Sequence, residues 1–227
     1  MSAAQMNLAG KYIVVDGPDG AGKSVQLDRL KELVENLGGE WVYARDPGGT
    51  DIGDRIRHVL LGYDLSQMDV RCETLLFMAS RSQLVAEVVR PALAAGKTVL
   101  GDRFISATCA YQVAAGFDRD AVITLGRLAV GNTWPDLTIV LDVPVEVGFE
   151  RTGRKRSAKG GEGQYSMFEG ATTDAMERRP IEYHRRVREI FRTLPTFYPA
   201  PVEVIDASRD RDAVFCDVQA ALGRTFA

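Results

Sequence analysis

The chain has little of what builds metal clusters or disulfide frameworks. It carries three cysteines, Cys72, Cys109 and Cys216, and two histidines, His58 and His184. The cysteines are odd in number and far apart. That excludes a cross-linked scaffold and paired zinc ligands, and predicts reduced thiols in a cytoplasmic protein. Each histidine sits among charged neighbours and is expected at the surface. Long apolar runs are missing too, so no membrane span is expected. Met1 to Gly10 lacks the basic start and apolar centre of a secretory leader. Nor is positive charge in excess: 28 Lys and Arg against 31 Asp and Glu leave a formal charge of −3. Neither nucleic acid nor a membrane surface is the expected partner.

What is present is phosphate chemistry. Gly17-Pro18-Asp19-Gly20-Ala21-Gly22-Lys23-Ser24 reads G-x-x-x-x-G-K-S and directly follows the apolar run Tyr12-Ile13-Val14-Val15. Glycines at that spacing let successive backbone N–H groups turn inward onto phosphate oxygens. The helix predicted next, striped by Leu27, Leu30, Leu33, Val34 and Leu37, adds the positive end of its dipole. Lys23 reaches for the β- and γ-phosphates, and the Ser24 hydroxyl is a ligand for Mg²⁺.

Strand-like runs then alternate with helical patterns. Strands are predicted at Trp41–Tyr43, Thr98–Leu100, Leu137–Leu141 and Val202–Ile205. Helices are predicted near Ile52–Leu61, over Asp69–Ala95 with Pro91 starting a last turn or kinking the segment, and on to Val130 with a break near Gly116. Others follow from Val145, over Ala175–Leu194, and around Val214–Leu222. Five strands separated by helices predict an α/β fold, a parallel sheet covered on both faces. Right-handed crossovers then gather the strand C-termini along one ligand-binding edge. One domain over 1–227 is expected, with the polar stretch at about 153–174 as a lid.

Further groups fall on that edge. Asp102 ends a buried strand, where a carboxylate holds Mg²⁺ directly or through water. Arg103 beside it presents a planar fork for a phosphate. Phe77 and Arg81, four apart on one helix face, suit a stacked base and its polar edge. Thr108, Tyr111 and Gln112 form a comparable face for a sugar or base. Arg151, Arg154, Lys155 and Arg156 cluster at the start of the polar stretch, where an arginine supplies ~10³–10⁵ in phosphoryl-transfer rate.

Taken in order, these segments resemble the thymidylate kinase family in a bacterial form. They are Asp16 to Ser24, Arg45-Asp46-Pro47-Gly48-Gly49-Thr50, Leu76-Phe77 with Arg81, and Asp102-Arg103-Phe104 with Thr108, Tyr111 and Gln112. Pro135-Asp136-Leu137 and Leu141-Asp142-Val143 also match. The resemblance implies a three-layer P-loop kinase that transfers phosphate from ATP to dTMP with Mg²⁺, commonly as a homodimer. It implies that Gly17 to Ser24 bind ATP, with Ser24 and Asp102 as metal ligands. Asp19 would lie near the acceptor sugar and phosphate, with Arg103 bridging donor and acceptor. Phe77 would stack on thymine, Arg81 would bond the base, Tyr111 would pack on the deoxyribose, and Arg45 and Pro47 would line the pocket. Gly20 stands where some members carry a basic residue, so the resemblance points to Arg151, Arg154 or Arg156 for the catalytic arginine. The chain departs from the family at Asp16, Val25, Phe104 and the stretch from Ser166 to Asp174. Two other readings stay open: a kinase for another or 5-modified deoxynucleoside monophosphate, and a nucleotide-binding module without transfer activity.

Overall fold

The structure, a computed structural model, describes residues 6–62, 68–153 and 179–226. Five parallel strands lie in the order β2-β3-β1-β4-β5. They are β1 (Tyr12–Asp16), β2 (Trp41–Arg45), β3 (Thr98–Asp102), β4 (Leu137–Asp142) and β5 (Val202–Asp206). The central strand β1 is buried throughout and apolar up to its last residue, Asp16, because it is covered on both faces. Tyr12 and Val14 enter one core with Val99 and Val140, while Ile13 and Val15 enter the other with Leu100, Ile139 and Leu141. Side chains alternate along a strand, so one continuous apolar run serves two layers.

The helices divide accordingly. On the Ile13 face lie α1 (Lys23–Asn36) and the closing helix α9 (Arg211–Phe226). On the Tyr12 face lie α3 (Val70–Leu84), α5 (Ile105–Ala114), α6 (Arg119–Val130) and α8 (Ile181–Thr193). The rest are α2 (Asp51–Gly62), α4 (Arg90–Ala94) and α7 (Val145–Arg151). Pro91 stands in the first turn of the short helix α4, which follows a π turn over Val85–Val89 in which the Arg90 N–H bonds to Val85 O. Pro91 has no N–H to give and its ring crowds the preceding turn, so the helix widens just ahead of it. The break near Gly116 separates α5 from α6, with Gly116 at φ 101°.

Strand register aligns the functional edge. Arg45 of β2 pairs with Asp102 of β3, and Asp102 pairs with Val15 of β1. Three neighbouring strands therefore end level, just where the phosphate loop leaves β1.

One expectation fails. His58 is exposed, but His184 is buried between the rings of Phe149, at 5.0 Å, and Tyr183, at 5.4 Å. Its charged sequence neighbours Arg185 and Arg186 point elsewhere because adjacent helical residues diverge by about 100°. His184 shares the inward stripe of Val187 and Phe191. The described part of the helix expected over Ala175–Leu194 starts at Ile181, and residues 175–178 lie outside the described residues.

Candidate active site

The loop from β1 to α1 spends two of its backbone donors locally, Gly17 N–H on Asp16 Oδ1 at 2.8 Å and Ala21 N–H on Pro18 O at 3.3 Å, and ends at a helix start with no cap. Gly22 is the N-cap of α1 in the left-handed region, no side chain caps it, and the first turn has no acidic residue. An uncapped helix N-terminus is a place for an anion. Lys23 folds back over the loop, its Nζ donating to the carbonyls of Gly17 at 3.2 Å and Pro18 at 3.0 Å. Burial and then repulsion from Arg103 bring its pKa down to about 8, against the pull of Asp19, Asp16 and Asp102.

The loop tip rests on α7. A Cβ on Gly20 would lie 2.2 Å from Gly148 O, and one on Gly148 would lie 2.4 Å from Asp19 O. Only two glycines let these backbones meet. Gly20 also has φ +74°, a region other residues enter at a cost. Arg151, at the end of α7, donates to Ala207 O at 2.9 Å and Ser208 O at 3.2 Å, and approaches Gly20 O at 3.5 Å. It thus ties α7 to the turn after β5. Arg154 and Arg156 lie outside the described residues, as does the expected lid apart from Gly153.

Arg103 occupies the centre. Its backbone sits at φ +65°, and its N–H donates to Val15 O at 3.2 Å. Its guanidinium donates to Asp16 Oδ1 at 3.2 Å, Gly17 O at 3.2 Å and Asp19 Oδ1 at 2.7 Å, and lies 5.0 Å from the Tyr111 ring centre. Asp16 is fully buried and also accepts from Ser106 Oγ at 2.6 Å. Burial raises the Asp16 pKa, opposed by Arg103 and Ser106. Asp102 accepts from the Tyr43 hydroxyl at 2.8 Å.

A cavity of about 200 Å³ joins these groups to a second wall. Lys23, Ser24 and Asp19 line one end, and Asp102 and Arg103 line the middle. Arg45, Pro47, Phe77, Arg81, Thr108, Tyr111 and Gln112 line the rest. Arg81 is only 1% exposed and paired with Asp46 at 2.5 Å. Its Nη2 donates to Phe104 O at 3.0 Å and Thr108 Oγ1 at 3.2 Å. Among the described residues Nη1 donates to the Met78 sulfur, at 3.3 Å, a weak acceptor that leaves donor capacity for a ligand. Asp46 is buried, and burial raises its pKa against the lowering effect of Arg81.

The family model described as thymidylate kinase matches residues 15–218. The chain belongs to the thymidylate kinase family. It is 40% identical over 204 residues to a thymidylate kinase of Syntrophotalea carbinolica, covering 89% of this chain and 90% of the relative. The thymidylate kinase of Limosilactobacillus fermentum is 36% identical over 224 residues, covering 97% and 98%. That of Nitratidesulfovibrio vulgaris is 37% identical over 214 residues, covering 93% and 95%. The P-loop kinase fold and phosphotransferase class expected from the sequence are those of this thymidylate kinase family. Sequence reasoning missed Arg57, which lines the cavity and donates to Pro47 O at 2.9 Å. The available signal was its spacing of four from Leu61, another lining residue on the same face of α2. Asp16 was visible as part of a motif, but its bond to Ser106 spans 90 residues and had no local sign.

Proposed function

We propose that the protein transfers the γ-phosphoryl group of ATP to dTMP, giving ADP and dTDP. The observation that carries this reading is continuity. An uncapped helix end with Lys23, the fork of Arg103, and a wall of Phe77, Arg81 and Gln112 share one cavity. Such a cavity suits two nucleotides meeting phosphate to phosphate. An acceptor phosphate oxygen bonds to the γ-phosphorus as the bond to the β-bridging oxygen breaks. The acceptor oxygen is already ionised at neutral pH, so the residues need only align it and neutralise charge.

In this scheme the loop amides and Lys23 hold the donor phosphates, and Arg103 faces both phosphate groups. Asp19 keeps Arg103 in place and approaches the acceptor, Tyr111 packs against its sugar, and Arg45 and Pro47 border the base with Phe77. A further positive charge is assigned to Arg151, Arg154 or Arg156. Ser24 and Asp102 offer one hydroxyl and one carboxylate to the same cavity. Among the described residues no group of three or more His, Cys, Asp or Glu could hold a metal. A pair of hard oxygen donors fits Mg²⁺, which takes most of its ligands from phosphates and water. When bound, the ion would neutralise charge on the donor phosphates.

The protein is further proposed to be a cytoplasmic homodimer. Among the described residues no helix is long and apolar enough to cross a membrane. Ile52 and Val59 on α2, Leu75 on α3 and Leu128 on α6 expose apolar side chains, Leu128 to 84%. They support pairing through that side of the sheet, and sedimentation of a single 25 kDa species would refute it. Activity is tested by ADP release with dTMP, dUMP, dCMP and 5-hydroxymethyl-dUMP as acceptors. Turnover is expected with dTMP above the others. A better acceptor elsewhere in the panel would reassign the substrate, and ATP binding without turnover on any acceptor would sink the reading.

A further inference from the structure

The base wall is built as two rungs between α3 and α5. Glu73, Phe77 and Arg81 follow one another at four-residue spacing along α3, and Thr108 and Gln112 do so along α5. Gln112 Nε2 donates to Glu73 Oε1 at 2.9 Å, and Arg81 Nη2 donates to Thr108 Oγ1 at 3.2 Å. The numbering runs in opposite senses along the two helices, so Phe77 falls between the rungs. Glu73 is fully buried, and its second oxygen accepts from Arg179 Nη2 at 3.1 Å.

The Glu73 rung has a chemical consequence. A carboxylate paired with a guanidinium only accepts hydrogen bonds. The side of the Gln112 amide that meets it must therefore be the NH₂. The carbonyl oxygen is left to the cavity, which Gln112 lines while being 1% exposed. Turned over, the amide would set its oxygen against a carboxylate in a buried site and lose a charge-assisted bond.

We propose that Glu73 is a specificity-determining positioning residue: it locks the Gln112 amide so that the pocket presents an acceptor and reads a ring N–H. This rests on the acceptor being a pyrimidine nucleotide, as above. Thymine and uracil carry N3–H, whereas cytosine presents a lone pair at N3. A fixed carbonyl rewards the former and repels the latter, and a site built to hydrogen-bond discriminates far more strongly than an apolar one. A freely turning amide would serve both, because its NH₂ and C=O could exchange places.

Binding is the readout, so a chain that binds dTMP without turning it over would sink the proposed reaction and leave this inference standing. Dissociation constants of dTMP and dCMP are measured by calorimetry on the unmodified protein and on E73Q, Q112A and R179K. The unmodified protein is expected to favour dTMP strongly. In E73Q the new amide donates or accepts, Gln112 is unlocked, and the dTMP/dCMP preference shrinks by about tenfold, the worth of one hydrogen bond. Q112A is expected to lose it likewise. R179K should keep the preference, since it leaves a cation beside Glu73 and the carboxylate still orients the amide. An unchanged preference in E73Q or Q112A would overturn the inference, as would E73Q and R179K behaving alike, which would make Glu73 a mere anchor for Arg179. If E73Q does not fold, E73D takes its place: it withdraws the carboxylate by one methylene, and an undiminished preference there would be equally fatal.

Discussion

Replacing Gly148 by alanine sets two physical effects against each other. Alanine is the better helix former, and on propensity alone the change inside α7 stabilises by about 1 kcal/mol. The contact says the reverse. The new methyl would lie 2.4 Å from Asp19 O, about 1 Å closer than the 3.4 Å at which ordinary contact begins. The methyl is fixed by its own helix backbone and its neighbour is a backbone oxygen, so no side chain can rotate away. Overpacking of this kind costs about 1–3 kcal/mol. If the loop yields instead, Asp19 moves with it, and with Asp19 goes the 2.7 Å bond that places Arg103. A displacement near 1 Å at a phosphoryl-transfer centre costs about 10²-fold in rate. G148A is therefore expected to unfold at lower temperature, to lose roughly that factor in kcat with dTMP, or to share the loss between the two. Thermal unfolding and steady-state turnover, measured on the same preparation, decide it. A variant more stable than its parent and fully active would show that α7 does not position the loop.

Other outcomes follow from the same contacts. The Lys23 pKa is depressed from 10.5 to about 8, so between those values the unfolded chain binds the extra proton and stability rises with pH. ATP phosphates restore the charge, so calorimetry in buffers of different ionisation enthalpy should show proton uptake on ATP binding at pH 8.5 to 9. K23A should lose both the uptake and most turnover while staying folded. D46A strands the buried guanidinium of Arg81, and denaturant titration should find about 3–5 kcal/mol of stability gone. S106A removes the 2.6 Å donor to the buried Asp16 carboxylate; it should cost about 1–3 kcal/mol by thermal unfolding.

What the sequence made legible was local. The strand–loop–helix of Tyr12 to Leu37 can be read because its strand, cradle and dipole are contiguous. Asp102 and Arg103 can be placed because an apolar strand ends at a glycine and an aspartate. The Gly116 break and the Pro91 disturbance are likewise backbone chemistry carried by a single residue. What escaped was contact between distant elements. Glu73 and Gln112 are 39 residues apart, and nothing in either segment marks them as partners. His184 belongs with these, because on a helix its charged sequence neighbours are not its neighbours in space. Arg81 was readable as a cavity residue, but its pairing with Asp46 and its near-complete burial come from packing that no short window contains.

The level ending of β2, β3 and β1 bears on where the chain tolerates change. Adding or deleting one residue within any of these strands would exchange its two rows of side chains between layers and shift the rim by one position. The opposite edge of the sheet carries no such constraint. The turns that enter β2, β3 and β4, at Gly38-Gly39, Gly96-Lys97 and Asn132-Thr133, lie there. A reporter dye or an affinity peptide grafted into those turns would ride on the molecule while leaving the nucleotide chamber as it was.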